Sequence, residues 1–180
     1  MSSLAPVRTI SINRAPVLTL WAAVVAERLG FNRDTALTLG RAVAGLNAYA
    51  KGVSLGLFVP SSKAVDDHLK KAKRGATLKV GLLNRAVPVI RTKDGVRALS
   101  KERPISPAGV ERYLESKFGD DLGPARRAME KLARSLPRRE IAAHAYRLYE
   151  QFRPRIPAGV GGWGAAGKLH FDRIEALADR

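Results

Sequence analysis

The sequence predicts a mainly α protein of the α+β class, with about six or seven helices and a small antiparallel β-ribbon near residues 77–99. Three observations predict it. Apolar residues recur at helical spacing on both sides of the middle of the chain, and the period shortens to two from Thr77. Pro, Gly and Ser fall where helices should start and stop. With 46% hydrophobic residues among 180, the chain can bury a core unaided. The absence of cysteine removes disulfides, thiol nucleophiles and cysteine zinc sites together.

Residues 1–13 read as a polar entry. Pro16 suits the first turn of a helix in which Val17, Leu20, Trp21, Val24, Val25 and Leu29 recur, and Gly30 closes it. Asp34 is placed to cap the next helix, with Leu37, Leu39, Val43, Leu46 and Tyr49 inward and Lys51-Gly52 at its end. Both helices are apolar around most of their circumference, so they form the core or bury a face against a partner chain.

Ser62 caps a third helix over 63–74, supported by Asp66–Lys70 and Asp67–Lys71 pairs. Lys70, Lys71, Lys73 and Arg74 crowd its last turn, where cations also suit the helix dipole. Residues 77–83 and 86–91 then read as strands, and Asp94-Gly95 as a hairpin turn into 96–99. Pro88 places its strand at an edge or bulge. Lys79, Arg85, Arg91, Lys93, Arg97, Lys101 and Arg103 recur along this ribbon, and their spacing puts Arg85, Arg91 and Lys93 on one face.

Ser106-Pro107 opens a helix with Val110, Tyr113, Leu114 and Phe118 inward, which Gly119 stops. Pro124 opens another, with Met129, Leu132 and Leu136 inward. Pro137 breaks that one and starts a third, striped by Ile141, Ala145, Leu148, Tyr149 and Phe152. Residues 153–167 form a Pro/Gly-rich loop, and Asp172 caps a short last helix. The expected organisation is a helical hairpin over 1–60, a basic helix and ribbon over 61–104 and a helical region over 105–180, packed as one unit.

Charge is the strongest functional signal. Lys and Arg number 32 against 16 acids, a net charge of +16, and 21 of the 32 are arginine, whose planar fork suits phosphate. The excess is +4 over residues 1–60, +8 over 61–110 and +4 over 111–180. Its concentration in the middle points to a face that meets a polyanion. No run reaches the ~18 apolar residues a bilayer span requires. The run Pro16–Ala26 is short and passes into Glu27-Arg28 without a cleavage site, so the expectation is a cytoplasmic protein without membrane association.

Ala26-Glu27-Arg28-Leu29-Gly30-Phe31-Asn32-Arg33-Asp34-Thr35 carries a small residue four before a turn glycine, then an apolar plug and a polar second helix. On these residues, segment 22–43 resembles the helix-turn-helix family of DNA-binding motifs. The resemblance implies that Arg33, Thr35, Thr38 and Arg41 touch DNA. Ala36 and Leu37 depart from the pattern, and an ordinary helical hairpin fits the same residues. The order of two apolar helices before a basic ribbon is similar to that of HU-like architectural proteins, without their arm motif.

Other motifs yield less. Gly159–Gly164 matches G-x-G-x-x-G, but Pro154 and Pro157 precede it and no helix opens within it. Trp163 in that loop can stack on a base or staple the tail to the core. His68, His144 and His170 stand apart, and no metal site, cofactor site, nucleophile elbow or P-loop is legible. The expectation is a nucleic-acid binding protein, DNA before RNA, architectural or regulatory, and not an enzyme. Its contact residues would be Arg33, Arg41, Lys70, Lys71, Lys73, Arg74, Lys79, Arg85, Arg91, Lys93 and Arg97. The alternative is an assembly module, homodimeric through helices 16–51, with charge on the ribbon serving only to protect its edge. An enzyme with a site assembled from distant residues is the third reading.

Overall fold

A computed structural model describes residues 9–49, 63, 65, 78–156 and 166–179. These form a mixed α+β fold with two antiparallel sheets. The helices are α1 (Arg14–Arg28), α2 (Arg33–Tyr49), α3 (Pro107–Phe118), α4 (Leu122–Arg134), α5 (Arg138–Phe152) and α6 (Phe171–Ala178). A 3-10 turn, Gly119–Asp121, links α3 to α4. The strands are β1 (Thr9–Ile12), β2 (Leu78–Leu82), β3 (Arg85–Thr92), β4 (Gly95–Ser100), β5 (Arg103–Pro104) and β6 (Gly167–His170). Of the basic helix expected over 63–74, only Lys63 and Val65 are described, both helical; Lys70, Lys71, Lys73 and Arg74 lie outside the described residues.

α1 is the axis of the core. Every residue from Pro16 to Ala26 is buried, because α2 packs along one side while α3, α4 and α5 close the others. The Trp21 indole donates to the Ala145 carbonyl of α5 at 2.8 Å and meets Phe152 edge-on at 5.3 Å. A buried indole N–H needs such a partner. The apolar faces of residues 16–44 are thus covered within the chain, the first of the two arrangements expected for these helices.

The turn between α1 and α2 follows from Gly30. Its φ of 109° lets the Phe31 N–H reach back to the Ala26 carbonyl and the Gly30 N–H to that of Glu27. These are the two bonds of a Schellman stop. The cap of α2 differs from expectation: Asn32, not Asp34, accepts from the Thr35 N–H at 2.9 Å. Both types can cap, and the one that directly follows the buried Phe31 does so. α2 then approaches α1 backbone to backbone at Gly40, where a Cβ would fall on the Thr19 carbonyl and 2.9 Å from the Ala23 nitrogen.

The larger sheet is a meander, β2-β3-β4-β5, docked on α2. β3 is flanked on both sides, yet its proline breaks nothing. Pro88 lies opposite Lys79 of β2, one residue beyond the last β3–β4 pair, Val89 with Ala98. Its missing N–H therefore falls where the β3–β4 pairing has ended. The smaller sheet, β1 with β6, was not expected from the sequence, which reads residues 1–13 as an entry segment and 153–167 as loop. Ser106 caps α3 as expected, accepting from the Gly109 N–H, whereas Asp172 lies inside the first turn of α6.

The Gly40 contact sets the helix spacing, so Gly40→Ala should destabilise the fold by about 1–3 kcal/mol in urea unfolding, although alanine is the better helix former. Gly45, which has nothing within 4 Å of a Cβ, is the control. There the same substitution should stabilise, by up to ~1 kcal/mol.

Candidate nucleic-acid interface

The helix-turn-helix resemblance holds at the turn and fails at the surface it should present. Thr35 and Thr38 are buried at 2% and 0% exposure, facing β4. β5 pairs with Leu99 and Ser100, and the Ile105 N–H reaches the Ala98 carbonyl at 2.9 Å, which leaves the Ala98 N–H and the Val96 carbonyl on the outer edge of β4 without a strand partner. α2 closes most of it. The Thr35 hydroxyl donates to the Val96 carbonyl at 2.7 Å, and the Thr38 hydroxyl accepts from the Ala98 N–H at 3.0 Å. Thr38 also donates to the Thr35 carbonyl at 2.8 Å, so it is satisfied in both senses. Contact of Thr35 and Thr38 with a DNA groove is excluded by this packing.

The arginines of α2 are exposed but engaged. Arg33 donates to the Glu111 carboxylate of α3 at 3.1 Å, which also takes Arg126 of α4 at 3.5 Å. The Arg41 guanidinium lies 4.6 Å from the centre of the Tyr113 ring. Both are drawn into the seam between α2 and α3.

The ribbon divides its cations between two faces. Arg85 and Arg91 share a face, as their spacing predicts, but it is the face of Val80, Leu82, Val87 and Val89, which are buried. Arg85 is accordingly 6% exposed, with Nη2 donating to Asn47 Oδ1 of α2 at 2.9 Å. Arg91 emerges only at the hairpin end, where the strand outruns the core.

Arg97 sits on the opposite face, yet is only 7% exposed. It donates to the Val96 and Asp94 carbonyls, and the Asp34 carboxylate stands 3.9 Å away. A single outward face carrying Arg85 and Arg97 therefore does not form. The outward cations are Lys79, Arg91 and Lys93, joined by Lys101 and Arg103 at the β4–β5 turn. Lys70, Lys71, Lys73 and Arg74 lie outside the described residues, as do Gly159–Gly164 with Trp163.

Two clefts flank the start of α2. One of about 300 Å³ is lined by Phe31, Thr35 and Val96, with Arg91 as its charged residue. The other, of about 650 Å³, sets Arg33 and Arg97 against Asp34, Asp94 and Glu111. Its mixed signs offer an anion little net attraction.

Sequence reasoning missed two features. The first is a polar junction where α1, α2, α3 and α4 meet. Burial raises the Glu27 carboxyl above its ordinary 4.5, against the pull of Arg126 and Arg33 and with the help of Glu130 and Glu111. Its members come from distant elements, so no local spacing announced it. The second is a run from Arg126 to Arg139 with six basic residues and one acid, which averaging over 111–180 concealed. A shorter charge window would have found it.

Removing the Thr38 hydroxyl leaves the buried Ala98 N–H without a partner. Thr38→Val should cost about 1–3 kcal/mol in denaturant unfolding, and Thr38→Ser markedly less. Glu27 gives a pH prediction. A carboxyl raised in the folded state favours folding at low pH, and that contribution is lost as pH climbs from 4.5 through the folded value. Glu27→Gln should therefore raise the thermal midpoint at pH 7, and the gain should close below about pH 4. Comparisons of the chain with protein-family models, with curated proteins and with solved structures find no match in any of the three.

Proposed function

We propose that this chain binds nucleic acid, DNA before RNA, through phosphate contacts from outward lysines and arginines, in an architectural or regulatory role. The observation that carries the reading is an unneutralised surplus. With 32 cations to 16 acids, the ion pairs among the described residues engage only Arg33, Arg97, Arg126 and Lys131 of the basic side chains. Lys79, Arg91, Lys93, Lys101 and Arg103 stand exposed and form no ion pair with a carboxylate among the described residues. Such groups hold counterions in the free protein and release them on phosphate, which drives association.

Backbone contact suits the burial of α2 better than base reading does, since its threonines are already spent on β4. Sequence preference would then come from duplex shape and deformability. The assembly reading has less support, because the apolar faces of residues 16–44 are covered within the chain.

Fluorescence anisotropy against duplex DNA, single-stranded DNA and RNA tests this. Affinity for duplex should fall steeply between ~50 and ~200 mM salt, with a log–log slope of about −0.9 per phosphate neutralised. Replacing Lys79, Arg91 and Lys93 with glutamine should lower that slope by about 2–3 without moving the thermal midpoint. A parent protein that binds none of the three at low salt would end the proposal.

A further inference from the structure

We infer that arginines on α4 and at the opening of α5 (Arg127, Arg134, Arg138 and Arg139) form a second phosphate-contact strip, and that its partner is the backbone of a nucleic acid. The inference rests on the nucleic-acid reading and gives it a surface outside the ribbon.

The strip follows from how α4 is divided. Ala125, Ala128, Met129, Leu132 and Ala133 are buried, so the opposite side of the helix faces out. Arg127, Lys131 and Arg134, spaced four and three apart, run along that side as one stripe. Three residues, Ser135–Pro137, then lead into α5, whose first two positions are the exposed Arg138 and Arg139. Lys131 is held by Asp179 of α6 at 3.3 Å. The four arginines have no hydrogen bond, ion pair or ring contact among the described residues. Glu130, the one acid between 126 and 139, is half-buried and borders the strip on the side of Glu27, whose charge it feels.

This arrangement costs the fold stability. Like charges three and four apart on a helix repel one another. Arg138 and Arg139 also occupy the first turn of α5, where the helix dipole disfavours cations. Glu130, three after Arg127 and four before Arg134, and Glu140 in the first turn of α5 offset part of this, but two acids against four arginines leave a positive strip that an external anion can neutralise. All four are arginines, whose forked guanidinium binds phosphate oxygens two at a time. A lipid surface fits less well: the apolar side of α4 is consumed by the core, leaving nothing to insert among acyl chains.

The test compares the parent with a variant carrying Arg127→Gln, Arg134→Gln, Arg138→Gln and Arg139→Gln, by anisotropy on one duplex across a salt series. The salt slope should fall by about 3–4, and low-salt affinity by on the order of 10²–10³-fold. The corresponding four-lysine variant should keep most of both. Each single Arg→Gln change should lower the slope by about one, so a quadruple variant that failed to fold would leave four separate readings. Should the glutamine variants bind as the parent does, the strip is not a contact surface, and the nucleic-acid reading survives on the ribbon. Should the parent bind no nucleic acid, or bind only vesicles containing phosphatidylserine, both fall together.

Discussion

The constraint that orders this molecule is the near-contact of two backbones at Gly40. α1 is buried on all sides, and α2 can lie against it only because no side chain intervenes between Gly40 and the Thr19 carbonyl. That seat fixes which way α2 turns its remaining faces. One presents Thr35 and Thr38 to the open edge of β4, where hydroxyls stand in for the strand that β5 is too short to supply. Another presents Arg33 and Arg41 to Glu111 and Tyr113 of α3. A helix used on so many sides is scaffold, and its polar residues serve the fold.

The same packing sorts the charge. Cations close to α2 are drawn inward or paired: Arg85 to Asn47, Arg97 to backbone carbonyls, Arg33 to Glu111. Those farther out, at the hairpin end and along α4, keep their charge facing solvent. Interior and rim thus use one residue type in two ways. A buried guanidinium satisfies carbonyl groups that water cannot reach, and an exposed one contributes to the field around the protein.

Much of the architecture was legible because its causes are local. Gly30 stops α1, Ser106 caps α3 and the period-two run gives the meander, each from neighbouring residues. The misses share another cause. Alternation places Arg85 and Arg91 on one face, but whether that face is covered depends on α2, about forty residues away in sequence. The capping role of Asn32 over Asp34 turns on how the chain leaves the plug at Phe31. The Glu27 junction and the close approach at Gly40 exist only once separate helices have met.

The pairing of β1 with β6 joins segments about 160 residues apart, with Thr9 opposite His170. Two strands of four residues could not hold together alone. Closing so long a loop carries an entropy cost that eight residues of ladder do not repay until the helices have already brought both segments near. This small sheet is therefore a clasp that shuts last in folding, and a change anywhere in the helical core that loosens its two anchorages will be felt there first.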